Sequence, residues 1–157
     1  MKYKLFAFVV LLLASISLVS AFTPGNVYNN VARYNAMASA SPALLRDFIG
    51  DQTVNVNIVN SDGSTYKVGF VAQNAKIVQT VPGGASNPSV VINATSAAVD
   101  AINSSDDPIA TFEDRTKYGQ IRIQGTNPVT SLKLAAILSS GPVLEFFYNV
   151  FYGNGSE

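Results

Sequence analysis

The most regular feature of the chain is an alternation of apolar and polar residues that begins near residue 53. Residues 54–58 alternate valine or isoleucine with asparagine, and residues 66–70 carry an apolar or aromatic residue at every second position. A period of two is typical of strands with one buried face. Between these segments, Asn60–Gly63 predicts a tight turn, because glycine readily adopts a positive φ. The pattern therefore predicts a β-hairpin.

The same period predicts three further strands, over residues 75–81, 90–94 and 121–124. One face of the resulting sheet is expected to be covered by the core. The side chains predicted to point into that core are Val54, Val56, Ile58, Tyr66, Val68, Phe70, Val90, Ile92, Ile121 and Ile123.

Helix starts are marked by prolines, most of which follow a capping residue. A side-chain oxygen at the cap position accepts a hydrogen bond from a free backbone amide, and proline at the first helical position removes no helical hydrogen bond. The starts lie at Thr23-Pro24, Ser41-Pro42, Asp107-Pro108, Asn127-Pro128 and Gly141-Pro142, and Thr95 or Ser96 opens one more helix. Together the elements predict an α+β domain with a five-stranded, mainly antiparallel sheet covered by helices.

The order of signals between residues 88 and 138 resembles that of the sterol carrier protein 2 (SCP2) family of lipid-binding domains. The segments that carry the resemblance are the strand Val90–Ala94, the short helix Ser96–Asn103, Asp107-Pro108, Phe112, Gly119, the strand Ile121–Gln124, Gly125 and the leucine-rich helix Leu132–Leu138. The resemblance implies an SCP2-like fold with its core over residues 41–152. It also implies that fatty acyl chains or sterols bind in a tunnel that the C-terminal segment closes.

The first 21 residues are typical of a cleavable signal peptide. Lys2 and Lys4 precede the apolar run Leu5–Leu13, and Val19-Ser20-Ala21 supplies small residues for cleavage before Phe22. An uncleaved N-terminal anchor is the alternative. We expect a secreted or cell-surface protein with a single domain over residues 22–157.

Three N-glycosylation sequons fit an exported chain, and they make Asn93, Asn103 and Asn154 candidate acceptors. Removal of the two N-terminal lysines leaves eight basic side chains against ten acidic ones. Because nucleic-acid binding relies on a basic surplus, a nucleic-acid partner is not expected.

The chain contains neither histidine nor cysteine. A Ser-His-Asp triad, a thiolate nucleophile and the common zinc sites are therefore excluded. Asp106, Asp107, Glu113 and Asp114 offer oxygen ligands for calcium or magnesium, but they surround a helix start, where the helix dipole favours acidic residues. We expect a protein without catalytic residues, metal or cofactor.

The last two predicted helices carry more large apolar side chains than a small domain usually needs. Helix 129–139 is apolar on nearly every side except at Thr130, Ser131 and Lys133, and helix 142–152 has a wide phenylalanine-rich face. These side chains either line a cavity for a hydrophobic ligand, such as a lipid, fatty acyl chain or isoprenoid, or interdigitate into a solid core. The predicted lining residues are Tyr66, Val68, Phe70, Phe112, Ile121, Ile123, Leu134, Ile137, Leu138, Phe146, Phe147, Val150 and Phe151.

A second interpretation needs no cavity. The phenylalanine-rich helix over residues 142–152 could dock on another protein of the cell envelope or on a second copy of the chain, because such side chains are not left exposed on a monomer. A peripheral position at a membrane surface is compatible with either interpretation.

Overall fold

The computed structural model of the chain describes residues 24–151. The predicted signal peptide, the cleavage position before Phe22 and the sequon at Asn154 lie outside these residues, as does the side chain of Phe151. Within them the helices are α1 (Pro24–Met37), α2 (Ala43–Ile49), α3 (Ser96–Asn103), α4 (Pro108–Lys117), α5 (Pro128–Leu138) and α6 (Gly141–Phe151). The strands are β1 (Thr53–Val59), β2 (Thr65–Gln73), β3 (Lys76–Pro82), β4 (Val90–Thr95) and β5 (Ile121–Gly125).

The strands form one five-stranded sheet in the order β3-β2-β1-β4-β5. Neighbouring strands are antiparallel except for β1 and β4, which run parallel with Val56 beside Ile92. The predicted α+β class and the five strands are confirmed. The sheet is mixed because the chain crosses from β3, at one edge, to β4 on the far side of β1.

One face of the sheet forms the floor of the hydrophobic core, as the alternation predicted. Val56, Ile58, Val68, Phe70, Val90, Ile92 and Ile121 are buried on this face. Val54, Tyr66 and Ile123 are half-buried and pack against the same core. Helix residues such as Tyr34, Leu45, Phe112 and Phe147 complete it from above.

Three of the predicted capping residues make the expected hydrogen bonds. The side chains of Thr95, Asp107 and Asn127 accept hydrogen bonds from the backbone amides three residues later, at 3.2, 3.0 and 2.8 Å. At Ser41-Pro42 the predicted cap was wrong, because Pro42 itself occupies the cap position of α2 and the hydroxyl of Ser41 donates back to the carbonyl of Ala38 at 2.6 Å. Gly63, in the predicted hairpin turn, has φ of 83°, and Gly119, just after α4, has φ of 71°. The boundaries of these elements are therefore set by local chemistry.

Helix α1 holds the edge of the sheet. The hydroxyl of Tyr34 donates to the carbonyl of Ala75 at 2.7 Å. Asn35 donates to the carbonyl of Ile77 at 2.8 Å and accepts from its amide at 2.9 Å. Strand β3 is thereby joined to α1 on its outer side and to β2 on its inner side.

The loop between β3 and β4 folds over the other face of the sheet. Asn55 on β1 accepts from the amide of Ala85 at 2.8 Å and donates to its carbonyl at 2.9 Å. Gly69 on β2 lies beneath this loop, where an added Cβ would sit 2.4 Å from the Ala85 nitrogen. Glycine is needed here because the loop backbone lies directly on the strand.

Helix α5 is oriented differently from what its sequence suggested. Thr130, expected on the polar side, is buried, whereas Leu132 is 74% exposed and Val129 is 64% exposed. The prediction of the polar side was therefore wrong at Thr130. The helix is apolar around most of its circumference, so the periodicity of its sequence could not determine which side faces the core.

Candidate functional site

A groove of about 450 Å³ lies between the edge strand β5 and helix α5. This volume falls within the range of small-molecule sites, roughly 300–1,000 Å³. The residues that line the groove are Ile123, Gln124, Gly125, Ser131, Leu134 and Ala135.

The groove exists because β5 turns directly into α5. Asn127 caps the helix through the amide of Thr130, and the hydroxyl of Ser131 donates to the carbonyl of Gly125 at 3.2 Å. An added Cβ at Gly125 would lie 2.5 Å from the Ser131 nitrogen. The absence of a side chain at Gly125 thus lets the first turn of α5 close one end of the groove.

The groove combines an apolar base with a few polar groups. Leu134 is buried and Ile123 is half-buried, while Gln124 and Ser131 add an amide and a hydroxyl at more exposed positions. None of the six lining residues is charged. The accessible lining of the groove is more polar than apolar and carries no charge, so it suits a molecule with both polar and apolar parts better than an ion.

Backbone groups of β5 also face the outer edge of the sheet. Thr95 donates to the carbonyl of Gln120, and Thr126 donates to the carbonyl of Ser89, so the even-numbered residues of this segment bond to β4 and its flanks. In an antiparallel ladder, alternate residues direct their backbone groups away from the partner strand. The amide and carbonyl of Ile123 therefore point away from β4, toward the outer edge of the sheet, where they add hydrogen-bonding capacity.

The predicted lining residues fall into two groups. Ile123 and Leu134 line the groove. Tyr66 is half-buried beside the core, and the remainder of the predicted set with described side chains is buried within it: Val68, Phe70, Phe112, Ile121, Ile137, Leu138, Phe146, Phe147 and Val150.

Phe146 and Phe147 of α6 pack against Tyr34 of α1. The rings of Tyr34 and Phe147 are stacked with centroids 6.3 Å apart, and Phe146 meets both rings edge to face. Burial raises the pKa of the Tyr34 hydroxyl well above its usual value. Docking through α6 would require exposed side chains, but Phe146, Phe147 and Val150 are buried in the core of the chain itself.

The acidic residues at the start of α4 have structural roles. Asp107 caps the helix. Burial raises the pKa of the Glu113 carboxyl, and the negative charge of Asp107 raises it further. Among the described residues, no group of three or more acidic side chains comes together in a way that could hold a metal ion.

The two sequon asparagines within the described residues have different surroundings. Asn93, on the sheet face opposite the core, accepts a hydrogen bond from Asn57 at 2.9 Å. Both amide atoms of Asn103 are buried without a hydrogen-bond partner. A glycan on Asn103 would require the end of α3 to move.

Sequence patterns did not identify Gln124, Gly125, Ser131 and Ala135 as site residues. Gly125 was read as the end of a strand, and Ser131 as part of the polar side of a helix. The sequence does place one polar residue on each side of the short β5–α5 connection. This pair indicates a site only once the helix is known to fold back along the strand.

Helices α5 and α6 were also compared with the requirements of a membrane span. No single helix within residues 24–151 is long and apolar enough to cross a membrane. The pair Pro128–Leu138 and Gly141–Val150 meets the requirement in length and composition, but its helices are bent by 75° relative to each other.

No protein-family model matches the sequence, and no curated protein matches it. Solved structures that match the fold include sterol carrier protein 2 from Yarrowia lipolytica, at 12% identity and a TM-score of 0.46 over 87% of this chain and 98% of the other. Sterol carrier protein domain 2 of Helicoverpa armigera matches at 17% identity and a TM-score of 0.49, over 76% and 92%. Palmitated SCP2L2 from Aedes aegypti matches at 18% identity and a TM-score of 0.45, over 70% and 91%.

The predicted likeness to sterol carrier protein 2 domains is therefore confirmed at the level of fold. Because every one of these TM-scores is below 0.5, the functional proposal rests on the residues of the chain itself.

Proposed function

We propose that the protein is an exported, non-catalytic binding protein for a hydrophobic ligand, a lipid, fatty acyl chain or isoprenoid, that enters through the groove between β5 and α5. The observation that carries the proposal is the groove itself, about 450 Å³ in volume and without a charged lining residue. An apolar chain would lie against Ile123, whose half-buried side chain would lose contact with water, and over Leu134, which the fold already buries.

The polar lining supports a ligand with a polar end. Gln124 and Ser131 offer donors and acceptors, and a hydroxyl, amide or carboxyl group can pair with either of them. Polar groups of this kind orient a ligand, whereas the apolar base supplies the affinity. The chain lacks histidine and cysteine, and no lining residue is charged, so the hydroxyl of Ser131 has no general base among the groove residues to activate it.

The space between the sheet and the helices is filled by side chains, which favours a ligand site near the surface over a deep tunnel. Phe146, Phe147 and Tyr34 occupy the space between α1 and α6 with their own rings. A ligand that extended into this space would have to displace buried aromatic side chains. The ligand is therefore proposed to lie along α5, between the helix and the sheet edge.

Export is part of the proposal and is supported by the basic, apolar and small-residue sequence of residues 1–21. If the mature chain is glycosylated, Asn93 or Asn154 is the acceptor, because the amide of Asn103 is buried. Intact-mass measurement of the protein from its exporting host tests the cleavage, and peptide mapping of the same sample locates any glycan. A mass that includes residues 1–21, or a glycan on Asn103, would contradict them.

A pair of neighbouring alanines provides the functional test. Ala135 lines the groove and Ala136 does not, although both are exposed on the same helix. The delipidated protein should bind a fluorescent acyl probe saturably with one-to-one stoichiometry. The Ala135→Phe variant should bind the probe at least about tenfold more weakly, because the ring fills the groove, whereas Ala136→Phe should bind it normally.

Two results would contradict the proposal. One is the absence of saturable binding at micromolar probe concentrations. The other is equal affinity of the Ala135→Phe variant and the unmodified protein, since the ligand would then lie elsewhere.

A further inference from the structure

The outward side of α5 is apolar along its whole length. Val129 is 64% exposed and Leu132 is 74% exposed, and Pro128, Ala135 and Ala136 are exposed beside them. On a helix these five positions lie on one side, because residues three, four and seven apart are neighbours. We call this set the α5 surface.

The α5 surface differs from the outward sides of the neighbouring helices. Helix α6 exposes Glu145, Tyr148 and Asn149, as expected for a helix that faces water. Helix α5 contains no acidic residue, and its single charged side chain is Lys133. It is thus apolar on the side that faces the core and also on the side that faces outward, a pattern typical of helices that are covered on both sides.

Helix α2 extends this apolar region. It packs on α5 and exposes Leu44, which is 45% accessible, beside the oppositely charged pair Arg46 and Asp47. The Arg46 guanidinium donates to the carbonyls of Ser39 and Ser41, so α2 contributes an apolar side chain and no free basic group. The exposed basic group beside the α5 surface is Lys133, whose long side chain is of the kind that reaches lipid headgroups while its helix lies in the interface of a membrane.

The size of the α5 surface indicates whether its partner is another protein or a membrane. Two large and three small apolar side chains expose roughly a few hundred Å², whereas a standard protein interface buries about 800 Å² on each partner. A bilayer needs no complementary partner surface, and a short helix can bind by inserting a few side chains about 5–10 Å deep.

We propose that the α5 surface is a contact site for a lipid bilayer, with Leu132 and Val129 inserted into the interfacial region. The bend of 75° between α5 and α6 lets α5 lie along the membrane while α6 remains packed on α1. Ala135 belongs both to this surface and to the wall of the groove. The contact therefore brings the groove close to the lipid, but it does not depend on the groove holding a ligand.

The test uses the full chain, which contains no tryptophan. A single tryptophan is introduced by Leu132→Trp on the α5 surface or, as a matched control, by Val78→Trp. Val78 is 54% exposed on β3, at the opposite edge of the sheet. Each variant is mixed with phosphatidylcholine vesicles whose acyl chains carry bromine, which quenches tryptophan only at short range.

The Leu132→Trp variant should show a blue-shifted emission and roughly twofold or stronger quenching on vesicle addition, whereas the Val78→Trp variant should show neither. The comparison remains valid if residues 1–21 are retained and bind the vesicles, because an N-terminal anchor alone would leave both probes in water. Unquenched emission from the Leu132→Trp variant would therefore overturn the proposal. Equal quenching of the two variants would also overturn it.

A second variant gives an independent readout. The combined change Val129→Ser and Leu132→Ser alters only exposed side chains, so circular dichroism and unfolding should remain unchanged. Because this double variant carries no tryptophan at position 132, its binding to vesicles is followed by quenching of a third probe, Ala136→Trp. Partitioning of the double variant into the vesicles should fall by about tenfold or more. Unchanged partitioning would contradict the proposal. An emission shift that grows with protein concentration in the absence of vesicles would also contradict it, because the surface would then bind a second copy of the chain. Binding of the acyl probe is measured separately. It tests ligand binding in the groove, so a failure of that proposal can be distinguished from a failure of the membrane contact.

Discussion

Asn35 and Ile77 form a pair of hydrogen bonds in which a side-chain amide takes the position of a missing strand. The amide nitrogen of Asn35 donates to the Ile77 carbonyl at 2.8 Å, and its oxygen accepts from the Ile77 amide at 2.9 Å. An asparagine side chain has the same donor and acceptor arrangement as a peptide group. The pair satisfies backbone groups on the outer side of an edge strand, where an unpaired edge can recruit another chain.

The Asn35→Ala variant should lower the free energy of unfolding by about 1–3 kcal/mol, because a partly buried backbone amide and carbonyl lose their partners. Urea unfolding monitored by circular dichroism measures the change. Asn29→Ala, an exposed position on the same helix, is the control and should differ from the original protein by less than about 0.5 kcal/mol. Equal stability of the two variants would show that water satisfies the edge equally well.

The Gly69→Ala variant should destabilise the protein by about 1–3 kcal/mol, because the new methyl group overlaps the loop backbone at Ala85. The loop must lift, and the two hydrogen bonds between Asn55 and Ala85 are then lost. Gly141→Ala is the control, since an added Cβ there meets no atom within 4 Å. Thermal unfolding of both variants gives the comparison, and a Gly69→Ala protein as stable as the control would disprove the close contact.

The Phe147→Ala variant should lose about 3–5 kcal/mol of stability, the usual cost of removing a fully buried aromatic ring. Asn149→Ala, on the exposed side of the same helix, should change stability little. Chemical unfolding measures both. If α6 instead served mainly to dock on a partner, Phe147→Ala would weaken association and leave monomer stability nearly unchanged, contrary to this prediction.

Glu113→Gln should stabilise the protein at neutral pH. Burial and the charge of Asp107 raise the folded-state pKa of Glu113 above its ordinary value of 4.5, so the folded state binds more protons than the unfolded state between the two pKa values. Stability therefore falls as the pH rises through this window, and the penalty is fully present above the folded-state pKa. Denaturant unfolding should show the variant to be more stable at pH 7 and equal to the original protein near pH 4. A difference that is the same at both pH values would argue against ionisation of Glu113 as its cause.

Features that depend on neighbouring residues could be predicted from the sequence. Asp107 and Asn127 cap helices because each lies just before a proline, and Gly63 closes a hairpin because the flanking residues alternate. The parallel pairing of β1 with β4 could not be predicted in this way. It brings Val56 beside Ile92 across 36 positions of sequence, and no local pattern specifies that register.

The candidate site shows the same limit. Ile123 and Leu134 were predicted because they are apolar, but apolarity alone did not separate them from Phe112 or Ile137, which are buried in the core. The groove depends on the short approach between Gly125 and Ser131, a contact that follows from the angle at which α5 leaves the sheet. The side of α5 that faces outward was likewise undetermined, because Leu132 and Leu134 are chemically equivalent in the sequence.

The stacking of Tyr34 on Phe147 joins the first described helix to the last one. A chain that emerges from a ribosome presents α1 long before α6, so part of the buried side of α1 has no cover until α6 has been made. Contacts between distant parts of a chain slow its folding. The newly made domain would thus remain open for a time, a state that suits the export proposed above.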